Sequence, residues 1–443
     1  MKKLRLYFIG IVGLLIFSVL LASSIRNIYE SKDGGIGRLG FMAKPLKFMA
    51  EIPSIIKHVV SPAEFFVLNN NSKDGLNSFD SKIDKTYPKL LVTYKDEPFN
   101  QKIDLIDLNN GQVLKQWTPN NKELYAMAYN EDNPRRPAEG SDLYFMHPLL
   151  LEDNTLMFTA QLTSLLAKID GNSEILWLKN DRTYHHTLEL DHENNIYSCT
   201  RPFISDEYDF FPDDYEMYKK HLLDDHITKI DPESGNEIFD KSVISILIEN
   251  GYQDLLTAKG QTNSDPIHLN DIQPALTDTE HWNKGDLLVS CRNLSAIFLY
   301  RPSTNKIIWL KSGPWFNQHD VDFYGNDKVL VFGNDVIREE SIIDPRLTTK
   351  NLYFPKARPN NNAYVYHISN DSVSRPFSEL FRKENIQTYT SGRCDVLSNG
   401  DIFIEETNQG RIIIGDSINK KMEYVKRLNE EYISSLFWSR IIN

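Results

Sequence analysis

The histidine in the turn GPWFNQHDV is the first residue whose position suggests chemistry. His319 follows a bulky Gly-Pro-Trp-Phe turn and stands at the start of an alternating strand pattern that continues to VLVFGND. Side chains that a turn presents on a rigid sheet often carry chemistry. An imidazole there can act as a nucleophile or as a general acid or base. A lone histidine at a strand start is, however, more often a hydrogen-bonded structural residue.

Four other segments begin in a similar way. A residue that can carry positive charge stands shortly before an apolar strand at His147, His186 and Arg393, and the segment that starts at His268 carries an insertion. Equivalent positions of a radial repeat face one axis, so these side chains are expected to converge at one end of a central channel. His147, which precedes a proline, and one of His185 and His186 also fit a simple turn-capping role.

Paired strands must position these residues. From Tyr87 onward a hairpin signature recurs, with a short alternating strand, a turn rich in Asp, Asn, Ser and Gly, and a second strand that often ends in an aromatic residue. The hairpins begin at Asp104, Leu165, His226, Ala296, Ala363 and Arg411. About six such hairpins, each preceded by another strand pair, predict an all-β fold, a six-bladed β-propeller. The strand that leads into each blade is then expected to be the innermost one.

Four blocks of the chain carry a family resemblance. HHTLELDHENNIYSCTR, HLNDIQPALTDTEHWNKGDLLVSCR, IIWLKSGPWFNQHDV and VLVFGND follow one another in this order. As an ordered set, their His-x-Asn, Ser-x-Arg and Gln-His elements resemble the bacterial arylsulfotransferases, which move sulfuryl groups between phenols without a nucleotide sulfate donor. The resemblance extends from about Leu143 to Arg411.

The resemblance implies a propeller enzyme that takes a sulfuryl group from an aryl sulfate, holds it on a histidine and passes it to a phenol. His319 matches the Gln-His element that bears the nucleophile in the family. A neutral imidazole can attack sulfur, and a planar guanidinium can hold sulfate oxygens. The expected catalytic residues are His319, His268, Arg292 and His186. The expected substrate-binding residues are Asn270, His185, Asn334 and Arg393, the last from the strand pattern alone.

Two features depart from the family pattern. The spacing between His268 and Arg292 is longer, which bears on the shape of the pocket. The region before Leu143 lacks the N-terminal strand domain of the family, which leaves the oligomeric state undetermined. No GxxxxGK[ST] phosphate loop is present and the three cysteines are far apart, so we expect neither a cofactor nor a resident metal.

Three alternatives stay open at this point. A membrane-tethered propeller that binds a protein or peptide without catalysis would share the same fold signals. A quinone-dependent propeller dehydrogenase is disfavoured, because the chain lacks adjacent cysteines and a regular tryptophan motif in each blade. Three imidazoles at His186, His268 and His319 would also suit zinc or copper, which metal analysis of the protein would test.

Composition limits the class of partner. The chain has 61 acidic and 49 basic residues and a formal net charge of −12. Nucleic-acid binding needs a positively charged surface, so the acidic net charge argues against it. The length of 443 residues exceeds that of one compact two-layer domain and suits either two domains or one repetitive architecture.

The N-terminus predicts a membrane anchor. An uncharged apolar run from Leu6 to Ile25 follows Lys2, Lys3 and Arg5, and its length suits a transmembrane helix. The preceding positive charges place the N-terminus in the cytoplasm. We expect residues 1–30 to form a single-pass anchor, with the catalytic domain on the periplasmic or extracytoplasmic side. A signal peptide that is cleaved near Ala22 is the alternative.

The remaining residues divide into a linker and the propeller. Residues 31–86 are predicted to contain a flexible spacer, an amphipathic segment that lies on the membrane or packs on the propeller, and a loop-rich lead-in from Ser61 to Thr86. Residues 87–443 form the predicted propeller domain. An aromatic-rich insertion from Arg201 to Asp225 is expected either above the channel mouth, where it would hold a phenol ring, or as a loop packed by its own side chains.

Overall fold

The computed structural model describes residues 18, 20, 21, 23, 66–68, 72–79, 87–97, 100–130, 132, 143–160, 163–205, 208–210, 222–257, 264–336 and 361–442. The chain divides into two compact units. One comprises Met1–Pro62 and Pro137–Ser141, and the other comprises Ala63–Arg136 and Asp142–Asn443.

Little of the first unit is described. Ser18, Leu20, Leu21 and Ser23 are helical. Among the described residues, none of the helices combines the length and apolar character needed to span a bilayer. Most of the expected anchor from Leu6 to Ile25 lies outside the described residues, so the anchor stays a prediction.

The second unit is built from strands, numbered in chain order. Two short strands come first, β1 (Phe66–Leu68) and β2 (Gly75–Ser78). They are followed by β3 (Lys89–Glu97), β4 (Asn100–Asp107), β5 (Gln112–Trp117), β6 (Phe145–Leu150), β7 (Leu156–Ala160), β8 (Leu166–Ile169), β9 (Ile175–Lys179), β10 (Thr183–Leu190), β11 (Ile196–Arg201), β12 (His226–Ile230) and β13 (Glu237–Ser242). The rest are β14 (Leu269–Pro274), β15 (Leu287–Cys291), β16 (Ala296–Arg301), β17 (Lys306–Ser312), β18 (Asp320–Tyr324), β19 (Lys328–Gly333), β20 (Asn362–His367), β21 (Ser372–Ser374), β22 (Arg393–Val396), β23 (Ile402–Glu406), β24 (Arg411–Gly415), β25 (Lys420–Val425), β26 (Tyr432–Ser434) and β27 (Arg440–Ile442).

In the described part of the second unit, four short α-helices lie between strands. They are α1 (Asn121–Ala128), α2 (Val243–Glu249), α3 (Asp254–Thr257) and α4 (Ser378–Lys383). The buried side chains of α2, which include Ile246 and Leu247, belong to the core between the third and fourth blades. The buried apolar side chains of the other three helices likewise join cores formed by the strands, so these helices do not form a separate domain.

Antiparallel sheets of the described residues form the six blades. Blade 1 has the order β27-β3-β4-β5, and blades 2 to 5 run β6-β7-β8-β9, β10-β11-β12-β13, β14-β15-β16-β17 and β18-β19-β20-β21. Blade 6 has the order β22-β23-β24-β25-β2. The predicted all-β six-bladed propeller is confirmed, and in blades 2 to 6 the leading strand occupies the expected end of the sheet. The last strand, β27, occupies this end in blade 1 and closes the ring.

The lead-in from Ser61 to Thr86 is more ordered than its polar composition predicts. In this stretch β2 pairs with β25 and extends blade 6, while β1 pairs with β26. The Asn- and Ser-rich composition indicated a loop, but an edge strand needs few apolar residues because one of its sides faces solvent. The chain thus pairs with the last blade before it forms the strands of the first blade.

Aspartates organise the hairpin turns. Asp107, Asp170, Asp191 and Asp231 each accept a hydrogen bond from the backbone N–H two residues further on, at 2.7 to 3.0 Å. Such bonds hold the turn without a partner from another strand. The Asp- and Asn-rich turns of the sequence therefore set where one strand ends and the next begins.

Polar side chains at the inner ends of the blades join one blade to the next. Asp271 of blade 4 accepts from the backbone N–H of Val321 in blade 5 at 2.8 Å. Asp320 of blade 5 accepts from the backbone N–H of Cys394 in blade 6 at 2.9 Å. In blade 6, Glu405 accepts from the backbone N–H groups immediately before β27. Buried backbone donors need such acceptors, so these contacts fix the relative positions of the innermost strands.

Candidate functional site

The innermost strands present histidines through an uncommon backbone conformation. His147, His186 and His268 have φ values of 53°, 54° and 50°, in the left-handed region that non-glycine residues rarely adopt. In β6 and β10 the pairing register also shifts beside the histidine, as in a β-bulge. A bulge re-aims the side chain at its position. The imidazoles can therefore point in a direction that regular alternation of side chains along the strand would not give them.

Three imidazoles from three blades meet. The ring centroid of His186 lies 5.5 Å from that of His268 and 6.4 Å from that of His319. One ring nitrogen from each of the three lies within 4.8 Å of the others. The structure thus brings together the predicted catalytic histidines of blades 3, 4 and 5.

The orientation of the His319 ring is determined by Asn334. Nδ1 of His319 lies 2.6 Å from Oδ1 of Asn334 and 3.2 Å from the carbonyl oxygen of Asn317. The amide nitrogen of Asn334 donates to the carbonyl oxygens of Thr388 and Ser391, which leaves its oxygen facing the imidazole. Both neighbours of Nδ1 are acceptors, so Nδ1 carries the proton and Nε2 of the neutral ring carries the lone pair.

Burial keeps His319 neutral. The pKa of His319 lies well below its usual value, first because the side chain is buried and then because the positive charge of Arg292 is nearby. The hydrogen bond to Asn334 opposes this shift without reversing it. An unprotonated imidazole is the form that can act as a nucleophile or a metal ligand.

His268 is backed by a carboxylate. Its Nδ1 lies 2.6 Å from Oδ2 of Asp265, whose other oxygen lies 3.2 Å from Arg201. Although burial alone would raise the pKa of Asp265, the bond from His268 and the charge of Arg201 hold it below its usual range. Asp265 is therefore an anionic acceptor that fixes the orientation of the His268 ring.

The two adjacent histidines act as a pair. Nδ1 of His186 lies 2.7 Å from Nδ1 of His185, and Nε2 of His185 lies 3.2 Å from Oδ1 of Asp225. Asp225 also binds Nε of Arg201 at 2.5 Å. His185, which was predicted to bind substrate, therefore contacts His186 and orients it. Burial, followed by the neighbouring histidines, lowers the pKa of His186 well below its usual value.

Arg292 and Asn270 flank the imidazoles in blade 4. Arg292 is buried, its Nη1 donates to Oδ1 of Asn293 at 3.1 Å, and its backbone N–H donates to the carbonyl oxygen of His268. The amide nitrogen of Asn270 donates to the carbonyl oxygen of Gln318 at 2.6 Å. One hydrogen of Asn270 is thus used to hold the residue before His319, which is a positioning role beside the predicted substrate-binding one.

A second polar group surrounds Trp438. The His147 ring lies 4.3 Å from the Trp438 ring, and the Arg393 guanidinium lies 5.3 Å from it. Arg393 also donates to Asp395 at 2.8 Å, so Arg393, which was predicted to bind substrate, lies in this second group. The group adjoins the three imidazoles, because the His147 ring lies 5.9 Å from that of His186. His147 is completely buried, and within the described part of the chain neither ring nitrogen has a hydrogen-bond partner. Turn capping does not explain such a histidine.

Several residues that hold the histidines in place were not predicted from the sequence. Asp265 stands three residues before His268, a spacing that could have identified it as a partner. Asp225 and Arg201 have no such short spacing to the histidines in the sequence. Asp225 contacts His185, and Arg201 contacts Asp225 and Asp265, only because the fold brings blade 3 and the start of blade 4 together. Asn334 was predicted to contact substrate, whereas the structure places it against Nδ1 of His319.

The aromatic-rich insertion is described only in part. The hydroxyl of Tyr208 bonds to Asp224 and lies 2.7 Å from Oγ of Ser242, and its ring packs against the core between blades 3 and 4. Tyr208 is therefore anchored to the blade, and the two arrangements expected for the insertion as a whole stay predictions. Residues 206–207, 211–221 and 337–360 lie outside the described residues.

Fold and site together define a β-propeller with a buried group of histidines and an arginine at the inner ends of its blades. The sequence profile of the arylsulfotransferase (ASST) family matches residues 147–427. The chain belongs to this family, so the resemblance noted in the sequence is confirmed. No curated protein matches the chain.

The solved structures that match the chain are remote in sequence. A protein of unknown function from Bacteroides caccae is 11% identical over 79% of this chain and 98% of its own, with a TM-score of 0.44. A functionally unknown protein from Desulfotomaculum acetoxidans is 7% identical over 81% of this chain and 99% of its own, with a TM-score of 0.40. A catalytically inactive virginiamycin B lyase from Staphylococcus aureus, with quinupristin, is 9% identical over 64% of this chain and 71% of its own, with a TM-score of 0.34. At these scores the similarities do not inform the function.

The charge states of two histidines provide a test. His319 should remain neutral between about pH 6 and pH 8, because its pKa lies well below the usual value of about 6.5. His226 should remain protonated over this range, because the carboxylates of Asp224 and Asp240 outweigh its burial and raise its pKa to about 9. NMR titration of labelled imidazoles should therefore show no inflection for either ring. The chemical shifts should be those of a neutral ring for His319 and of a protonated ring for His226.

The variants His319→Asn and His226→Asn would assign the two signals. An inflection of the His319 signal near pH 6.5 would contradict the neutral form on which the site depends.

Proposed function

We propose that this protein transfers a sulfuryl group from an aryl sulfate to a phenol through a sulfohistidine at His319. Membership of the arylsulfotransferase family supports a sulfotransferase-type enzyme with small aromatic substrates. The observation that carries the finer proposal is the hydrogen bond from Nδ1 of His319 to Asn334, which leaves the Nε2 lone pair available beside Arg292.

In the first half of the reaction, the Nε2 lone pair attacks the sulfur atom of the donor. A nitrogen–sulfur bond forms while the sulfur–oxygen bond to the aryl group breaks, and the phenolate leaves with the bonding electron pair. The sulfated ring keeps its Nδ1 proton and becomes cationic, so the oxygen of Asn334 stabilises the new positive charge. Protonated His268 gives its Nε2 proton to the phenolate.

In the second half, neutral His268 takes the proton of the acceptor hydroxyl while the phenol oxygen attacks sulfur. The nitrogen–sulfur bond breaks and returns its electron pair to Nε2, so His319 is again neutral. His268 is again protonated, and Asp265 behind it holds the ring in place. The cycle is balanced, because the proton taken from the acceptor replaces the one given to the first phenolate.

Arg292 stabilises charge on the sulfuryl oxygens. Transfer of such a group proceeds through a loose transition state, as phosphoryl transfer does, and the protein contributes mainly alignment and charge stabilisation. A guanidinium that is buried between blades binds oxygen atoms more strongly than one in water. His186, held by His185, faces the same space and supplies a further polar contact to the substrate.

Burst kinetics test the nucleophile. With an aryl sulfate and no acceptor, the protein should release roughly one equivalent of phenol rapidly and then stop or slow. His319→Asn should abolish the burst, because an amide has no ring nitrogen to attack sulfur. Arg292→Ala should retain a burst whose rate is lower by on the order of 100-fold. The burst rate of Asn270→Ala should fall by less, because this substitution removes one neutral hydrogen-bond donor.

Arg382→Ala is the matched control, since this arginine lies on α4 with a 71% exposed side chain and its loss should leave the burst unchanged. A burst of parental size and rate in His319→Asn would remove His319 from the proposed role. Absence of a burst in the parent protein with several aryl sulfates would favour a propeller that binds a partner without catalysis.

We further propose that the chain is held at the membrane by the apolar run from Leu6 to Ile25, with the propeller on the extracytoplasmic side. The charged residues before this run support that orientation. The full-length protein should remain with membranes through a carbonate wash and keep its N-terminus. A mature chain that begins near Ile25 would contradict an uncleaved anchor.

A further inference from the structure

The three imidazoles at the inner ends of blades 3, 4 and 5 have a feature that sulfuryl transfer by one of them does not require. One ring nitrogen each of His186, His268 and His319 lies within 4.8 Å of the other two. A nucleophile needs one such nitrogen, and a general acid or base needs a second. Three nitrogens around one point also match the facial arrangement of a metal site with an open fourth position.

The Nδ1 atoms of all three rings are already engaged. Nδ1 of His319 contacts the oxygen of Asn334, Nδ1 of His268 contacts the carboxylate of Asp265, and Nδ1 of His186 contacts His185. Histidine ligands of metals almost always have the second nitrogen held in this way, by a carboxylate or another acceptor. The Nε2 atoms are therefore the ones left to face the common space.

The available ligands select the kind of metal. Three imidazole nitrogens suit zinc and copper, whereas magnesium and calcium prefer oxygen ligands. Zinc–nitrogen bonds are about 2.0 to 2.1 Å long, which places the nitrogens of a tetrahedral site roughly 3.3 Å apart. The present spacing, up to 4.8 Å between ring nitrogens, is wider than that value, so the three rings would have to move closer together when the metal binds. The buried position of Asn334 holds the His319 ring in place.

We propose that His186, His268 and His319 bind one divalent zinc or copper ion through their Nε2 atoms, with release of the Nε2 proton of His268 to solvent, and that this ion and the sulfuryl group exclude one another. The same lone pair of His319 would form either the bond to the metal or the bond to sulfur. The exclusion rests on the proposed function, whereas the binding of the ion does not. Metal occupancy would thus switch off transfer without a change of fold.

Binding is measured with the full-length protein and the metal alone. Titration with Co²⁺ should give the intense visible absorption of a tetrahedral nitrogen site, and Zn²⁺ should displace the Co²⁺ at roughly one equivalent. Asp265→Asn should weaken Zn²⁺ binding by about 10-fold, because the ring of His268 loses its charged partner. His268→Ala should weaken it by more than Asp265→Asn does, while His192→Ala, at an exposed position, should bind as the parent does.

Arg292→Ala separates the two chemistries. Its positive charge should stabilise sulfuryl oxygens but repel a cation, so its loss should slow the burst and tighten Zn²⁺ binding by roughly 3- to 10-fold. Absence of a stoichiometric Co²⁺ spectrum, or a spectrum unchanged in His268→Ala, would overturn the metal site. A parent protein that binds Zn²⁺ but gives no burst when metal-free would refute the transfer function alone. A burst that persists with Zn²⁺ bound would refute the exclusion.

Discussion

The hydrogen bond between Nδ1 of His319 and Oδ1 of Asn334 is the contact on which the candidate site depends. It decides which ring nitrogen of a buried, neutral imidazole carries the proton. Asn334 can serve as the acceptor only because its amide nitrogen is bound by two carbonyl oxygens from the segment before blade 6. Asn361 in turn binds Thr388 in that segment through both its oxygen and its nitrogen. The reactivity of one ring is therefore set by the junction of two blades.

Closure of the ring supports this arrangement. Left-handed backbone at three histidines is uncommon, and a residue in such a conformation costs on the order of 1 kcal/mol, so surrounding contacts must hold it. The innermost strands provide them, because side chains such as Asp271 and Asp320 bond to the backbone of the following blade. Because each blade is held by its neighbours, the histidines approach one another at fixed distances even though their strands are far apart in sequence.

The sequence predicts the scaffold well because the signals are local. Hairpin turns with aspartates and the alternating strands repeat along the chain, so the propeller and the position of His319 follow from short segments. The partners of the histidines are less predictable, because they depend on contacts between blades. Asn270 was expected to face substrate, yet one of its amide hydrogens holds Gln318. Arg393 lies beside Trp438 and Asp395, a placement that β27 determines by closing the ring.

The most direct test of this account is a crystal structure of the protein after it has been soaked with an aryl sulfate in the absence of phenol. We predict electron density for a sulfuryl group on Nε2 of His319, with the contact between Nδ1 and Asn334 retained and the guanidinium of Arg292 beside the sulfuryl oxygens. A sulfuryl group on Nδ1 of His319 or on another side chain would contradict the account. An intact donor bound in a fully occupied site would contradict it as well.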